Sequence, residues 1–422
     1  MARYHFTRLP NGVTVASAEM PHMASVSLGL WVGVGGRFEP ADVTGVCHFI
    51  EHMLFKGTQK RSALQISQAV EGVGGYLNAF TSEESTCFYA RVLHDRLGDL
   101  VEVLADMFLN SLFAAAELNR EREVIKEEVA MYNDQPSQYV HELLNATLWP
   151  DHPLGRPLTG SAPDLDRLNR AAMLDFMQRY YVSPSCLWVA AGNLHHEELV
   201  RLVSRHSKRF RPGKPQPFIP ATHKQVAPQV NLHTRKTEQT QLALGIRTCS
   251  RHDERRFALR LLNAVLGENM SSRLFQEIRE ERGLAYNIYS TPSFFDDAGD
   301  LVIAAGVDTE KLTVTLRLVM RELKRLCATP LTAPELRRAR DYVIGQFEQN
   351  LEMTENHMTW LGEQLLGHGR IQPPQQVKDR LGRVRPTDVR RAAQDFFKPD
   401  RMNLALVSPL KSDRGLEALL RS

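Results

Sequence analysis

His48, Glu51 and His52, in the run His48-Phe49-Ile50-Glu51-His52, are the residues whose types and spacing could do chemistry. On an α-helix, residues i and i+4 stand one above the other on the same face. His48 and His52 can therefore each offer an imidazole nitrogen to one metal ion, with Glu51 one position away on nearly the same side. Neutral imidazoles suit Zn²⁺, whose catalytic sites take three protein ligands and keep a fourth position for water. A carboxylate near that water but off the metal is the general base that metal-assisted hydrolysis needs. The bare H-x-x-E-H pattern is only moderately specific, because a helix can carry two histidines for other reasons. The rest of the chain has to supply the third ligand.

The helix expected over 117–133 is dense in acidic residues. A charged helix is ordinarily a solvated face. Within it, Glu121 and Glu128 are seven positions apart, so two turns put both on one side, whereas Glu127 points to another.

The elements that must position these residues follow from hydrophobic periodicity. Residues 6–18 read as a hairpin around Pro10-Asn11-Gly12, and 24–33 as a strand with period-2 alternation. A helix from about Thr44 to Phe55 carries the His/Glu motif. Further helices are expected over 62–73, 97–109 and 168–181, and strands over 76–81, 85–92 and 187–191. Between residues 208 and 220 stand Pro212, Pro215, Pro217 and Pro220, the composition of an extended interdomain linker.

Beyond that linker the chain echoes itself. The run starting Glu117-Leu118-Asn119-Arg120 has a counterpart in Glu335-Leu336-Arg337-Arg338, 218 residues further on. Tyr180-Tyr181 with Pro184 is matched by Phe396-Phe397 with Pro399, and 239–245 resembles the strand at 25–31. The repeat discriminates among the acids. Under the same offset Glu121 falls on Ala339 and Glu128 on Gln346, while Glu117 keeps its glutamate. The helix expected at 257–266 contains no histidine. Purely structural acids would have no reason to vanish together with the histidines. The expectation is an α+β chain of two similar domains: residues 1–211 with the metal site, a linker over 212–228, and 229–422 without one.

Composition narrows the function classes. At 422 residues, roughly two to three domains are expected. A hydrophobic fraction of 43% and a charged fraction of 24% belong to a globular chain, and the net charge of +3 is spread without a polybasic tail. Neither nucleic acid nor a membrane is expected as a partner. The five cysteines, Cys47, Cys87, Cys186, Cys249 and Cys327, are odd in number and form no C-x-x-C, so they read as free thiols in a reducing, cytoplasmic setting. Cys47 turns about 100° away from His48 and is expected to pack, not ligate.

Taken together, these motifs resemble the pitrilysin/insulinase family of inverzincin metallopeptidases, in its short two-domain branch related to the mitochondrial processing peptidase β subunit. The family pattern is H-x-x-E-H followed at longer range by a glutamate, and Glu128 stands at that spacing. The resemblance implies His48, His52 and Glu128 as ligands of one Zn²⁺ per chain, Glu51 as base and Glu121 as a supporting carboxylate. The run from Gly74-Gly75-Tyr76 through Thr81 resembles the family's segment that receives substrate as an added strand, which implies Asn78, Ala79 and Phe80 as substrate-binding. Without the family context Asn78 is an ordinary turn-former. Arg279 and Tyr286 resemble an Arg/Tyr pair that holds the substrate carbonyl. The other readings there are a salt-bridged helix-end arginine and a core tyrosine, with Arg282 as the competing arginine.

The resemblance further implies two mainly antiparallel sheets, each packed with helices, facing each other across a closed peptide chamber. It implies a zinc endopeptidase with a peptide as substrate. One chain carrying both motifs points to a homodimer, a heterodimer with a related subunit being the other arrangement. The rival function is a silent peptide-binding or structural subunit of a larger complex. Such relatives have usually lost a ligand or the base, and none is missing here.

Overall fold

The structure, a computed structural model, describes residues 2–222 and 224–421; Met1, Ser422 and His223 of the expected linker lie outside the described residues. Its strands are β1 (Arg3–Arg8), β2 (Thr14–Glu19), β3 (Ser25–Val32), β4 (Tyr76–Thr81), β5 (Thr86–Leu93), β6 (Cys186–Gly192), β7 (Gln229–Thr234), β8 (Thr240–Arg247), β9 (Ala285–Phe294), β10 (Gly299–Val307) and β11 (Met402–Ser408). The helices up to the linker are α1 (Val46–Leu54), α2 (Ala63–Val70), α3 (Leu97–Asn110), α4 (Ala115–Asp134), α5 (Pro136–Leu148), α6 (Ala162–Arg167), α7 (Arg170–Tyr180) and α8 (His196–His206). After it come α9 (Arg255–Leu266), α10 (Leu312–Ala328), α11 (Ala333–Asn350), α12 (Thr354–His368), α13 (Pro374–Arg383), α14 (Pro386–Phe396) and α15 (Leu416–Arg421).

The chain forms two compact units, and neither is one continuous stretch. The first holds the chain up to Ala130, Arg156–Ile219 and Gln349–Ile371; the second holds Met131–Gly155, Pro220–Glu348 and the chain from Gln372 on. The division expected from the sequence, 1–211 and 229–422, thus differs from the packing: α5 folds with the second unit and α12 with the first.

The first unit's sheet has the order β1-β2-β6-β3-β5-β4. Its neighbours are antiparallel except β2 and β6, which run parallel. Alternation along β3 explains its two faces. Val26, Leu28, Leu30 and Val32 point into a core shared with α1, α3 and α7. Full burial of each such aliphatic side chain contributes about 1.5–3 kcal/mol. Ser27, Gly29 and Trp31 point the other way. That second face would leave Trp31, Val189 and Ala191 in water, and α12 covers it with Met358, Leu361 and Leu365. Ser27 Oγ lies 2.8 Å from Thr354 Oγ1, and Trp31 Nε1 donates to Met358 Sδ at 3.4 Å. A Cβ on Gly362 would stand 2.5 Å from Trp31 Cε2, so glycine is what lets the helix lie this close to the indole.

The second unit's sheet has the order β7-β11-β8-β10-β9, again with one parallel pair, β7 with β11. Leaving β1 aside, the two sheets match position for position, parallel pair included. One face packs on α9, α10 and α14. The other carries small side chains, Ala243, Ala304 and Ala405, and is covered by α5 through Val140, Leu144 and Leu148. The offset of 218 residues that relates Glu117 to Glu335 also relates the first residues of α4 and α11, and of α5 and α12. The repeat is therefore one of topology, with α5 and α12 exchanged between sheets because each supplies a cover for an otherwise open face.

All five cysteines are free; Cys327 is half-buried and the other four are buried.

Candidate metal centre and catalytic residues

α1 starts abruptly, and its start sets the rotation of the motif. Gly45, at φ +86°, precedes it in the left-handed region, where a side chain would also strike Thr159 O at 2.7 Å. The carboxylate of Glu39 accepts hydrogen bonds from the backbone N–H of Gly45 (2.7 Å) and Cys47 (2.8 Å), which satisfies donors that a helix start leaves orphaned. Burial pushes the Glu39 carboxyl up to about 7, against the pull of those two N–H groups. Val46, Cys47, Phe49, Ile50, Met53 and Leu54 are buried, leaving His48, Glu51 and His52 on the remaining face.

α4 is anchored by Arg122, whose guanidinium donates to Leu165 O (3.0 Å) and Leu168 O (2.8 Å). That docking turns Leu118, Glu121 and Ile125 inward. Glu128 follows one turn later on the same side, and Glu127 is exposed. Of the two neighbouring glutamates, only Glu128 reaches the histidines.

Glu128 Oε2 lies 3.7 Å from His48 Nε2 and 3.8 Å from His52 Nε2, too far for hydrogen bonds. The three donor atoms all lie within 4.8 Å of one another. Tetrahedral zinc with bonds of ~2.0–2.1 Å holds its ligand atoms roughly 3.3–3.4 Å apart, so this donor set fits the ion with a small contraction. His52 Nδ1 is engaged by Glu121 Oε2 at 3.1 Å, which leaves Nε2 to face the centre. Glu121 is itself 3% exposed, and Lys56 Nζ contacts its other oxygen at 2.8 Å. The His48 Nδ1 atom is buried without a hydrogen-bond partner. Burial, and then the neighbouring His52, bring His48 down to about 4, so its imidazole is neutral at pH 7, as ligation requires.

Glu51 stays outside the ligand set. Burial raises its pKa, opposed chiefly by a hydrogen bond from Thr81, whose Oγ1 stands 2.5 Å from Glu51 Oε2. Thr81, Lys56 and Glu39 were not legible as functional residues. The only available signals were Thr81 ending the Asn78-Ala79-Phe80 strand and Lys56 standing one turn beyond His52.

β4 is the edge of its sheet and pairs only with β5 among the described residues. Asn78 is exposed; its Nδ2 donates to Tyr76 OH (2.6 Å) and its Oδ1 accepts from Ala79 N (2.9 Å). Phe80 packs edge-on against Trp31, with ring centroids 5.3 Å apart. Ala79 is half-buried beside it.

Arg279 and Tyr286 belong to the second unit. Arg279 sits in a π-helical turn, Phe275–Glu280, with its guanidinium 4.6 Å from the Phe275 ring centroid and 5.1 Å from that of Tyr286. Tyr286 is 80% exposed, so it is no core residue. Arg282, the competing arginine, is engaged with Glu277 at 2.7 Å. Two other histidines are held by structural partners: His196 bonds Thr7 and Ser17, and His357 bonds Tyr4 OH at 2.8 Å.

Comparison with known proteins gives the family and the fold. The family described as insulinase (peptidase family M16) matches residues 14–162, and the peptidase M16 inactive domain matches residues 167–343. An uncharacterized zinc protease of Mycobacterium tuberculosis is 38% identical over 99% of this chain and 95% of its own length. One from Bacillus subtilis is 35% identical over 94% and 97%. The crystal structure of a protease from Helicobacter pylori superposes with a TM-score of 0.91 at 20% identity, covering 97% of this chain and all of that one.

Proposed function

The chain belongs to the insulinase (peptidase M16) family, and from that premise we propose that it is a zinc-dependent endopeptidase acting on peptides or unfolded segments. The observation that carries the reading is the convergence of His48 Nε2, His52 Nε2 and Glu128 Oε2, with Glu51 beside that set and not in it. When bound, zinc supplies Lewis acidity toward a scissile carbonyl and lowers the pKa of a coordinated water. His48, His52 and Glu128 hold the ion, one per chain, and Glu121 keeps His52 in the ligating tautomer. Glu51 takes a proton from the attacking water and delivers it to the leaving amine. The substrate adds to the open edge of β4 along Asn78, Ala79 and Phe80, where main-chain hydrogen bonds give affinity with little demand on sequence. Arg279 and Tyr286 present a cation and a hydroxyl suited to a developing oxyanion. The peptide is enclosed during turnover, and the protein works as a homodimer in a reducing, cytoplasmic setting.

The test is zinc content and hydrolysis of a quenched peptide library, on the pure protein and on Glu51→Gln. About one zinc per chain in both, with turnover lost only in the variant, is the expected result. No zinc and no turnover would favour the silent-subunit reading, and a partner-dependent enzyme would hold zinc yet turn over only after the second subunit is added.

A further inference from the structure

Thr81 ends β4, the strand whose open edge takes the substrate under the reading above. Its hydroxyl has one proton to give, and that proton goes to Glu51 Oε2 across 2.5 Å. A hydrogen bond to a carboxylate is short and directional, and it orients the group as well as stabilising it. With Oε2 engaged, Oε1 is the oxygen left to receive a proton.

Thr81 is held in place from three directions. Its backbone pairs with Thr86 on β5. The turn that follows is closed by Ser82 N donating to Ser85 O at 2.8 Å. That turn is fastened in turn to the loop before α1: Gly36 N donates to Ser82 O (3.1 Å), Arg37 N to Glu83 O (2.7 Å), and Arg37 Nη1 to Glu84 Oε1 (2.7 Å). Arg37 is 1% exposed, with its guanidinium 3.9 Å from the Phe218 ring centroid. The C-terminal end of β4 is thus braced, while Tyr76 and Asn78 at its beginning are exposed.

We propose that Thr81 is the positioning residue of the general base: its hydroxyl aims the Glu51 carboxylate and ties that aim to the strand that receives the peptide. The proposal rests on the peptidase reading. A peptide pairing along Asn78–Phe80 lies on the same strand that ends at Thr81, so the substrate and the base are held in register by one element. The proton moves between the attacking water, Glu51 Oε1 and the leaving amine, while the Thr81 proton stays on Oγ1.

The experiment uses the full-length, zinc-loaded protein with Thr81→Val, which keeps the shape and removes the hydroxyl, and Thr81→Ser, which restores it. In Thr81→Val, kcat should fall about 10- to 100-fold, the loss expected when a reacting group is misplaced, with KM nearly unchanged. Zinc content and the urea unfolding midpoint should match the wild type, and Thr81→Ser should recover most of the rate. In metal-free protein the Glu51 carboxylate infrared band, isolated by subtracting the Glu51→Gln spectrum, should move in Thr81→Val and stay in place in Thr81→Ser. Wild-type kcat in Thr81→Val, with Glu51→Gln inactive, would overturn the positioning role and leave the peptidase reading intact. Loss of zinc or stability in Thr81→Val that Thr81→Ser shares would make Thr81 merely structural and also overturn it. Full activity of Glu51→Gln would remove the base itself and both readings together.

Discussion

Glu121 Oε2 stands 3.1 Å from His52 Nδ1, so a buried carboxylate on α4 occupies the nitrogen of His52 that faces away from the candidate ion. This contact is what makes Glu121 more than another acid on a charged helix. It sets the ring orientation and tautomer, and Lys56 balances its charge. Glu121→Gln should weaken zinc binding by ~10–100-fold while leaving the three ligands, His48, His52 and Glu128, in place. Competition with a chromophoric chelator reads this directly, and an unchanged affinity would reduce Glu121 to a bystander.

The neighbouring glutamates separate cleanly. Glu128→Gln should lose most of its zinc, because one of three protein ligands is gone. Glu127→Gln should keep it, since Glu127 is exposed on another face of α4. Metal content of the two purified variants decides the assignment, and equal loss in both would contradict it.

In the second unit, Tyr286→Phe should cost about 10²–10³ in kcat if its hydroxyl stabilises the oxyanion. Arg282→Ala should leave turnover intact, because that arginine is spent on Glu277 at the surface. Its effect on stability should lie within about 1 kcal/mol. Steady-state kinetics on one peptide suffices, and a large loss in Arg282→Ala would move the arginine role away from Arg279.

His357 offers a pH dependence with a definite sign. Burial lowers its pKa below the ordinary histidine value of about 6.5. Below that pH the unfolded chain binds the proton more readily than the folded one. Its contribution is therefore fully present above about pH 6.5 and is lost as pH falls from there through the lowered native value. Urea midpoints at two pH values, one on each side of 6.5, should show a larger acid shift in the wild type than in His357→Gln. Identical shifts would show that other groups carry the acid response.

Gly362→Ala should weaken the first unit without touching the metal centre. The added carbon meets the fully buried Trp31, so α12 must lift or the indole must turn. Overpacking of this kind costs ~1–3 kcal/mol. Chemical denaturation alongside zinc titration should show lower stability with unchanged affinity; a drop in both would mean that α12 and the metal centre are coupled.

Much of the architecture is local and was therefore legible. The i, i+4 histidines and the intervening glutamate need only a helix to share a face, and α1 forms where its apolar periodicity placed it. The hairpin at Pro10-Asn11-Gly12, the strand ending at Thr81 and the acidic helix are set by turn chemistry and period in the same way, as is the 218-residue echo. The remainder depends on contacts between residues far apart in the chain. Whether Glu121 or Glu128 faces which nitrogen follows from the docking of α4 through Arg122 on the 165–168 backbone. That Arg282 is taken by Glu277 while Arg279 lies against Tyr286 depends on a π-helical turn that no periodicity announces. The Thr81 hydroxyl reaches Glu51 because a sheet edge and a helix meet there. The exchange of α5 and α12 arises from open sheet faces, a demand of packing that a linear pattern of apolar residues does not express.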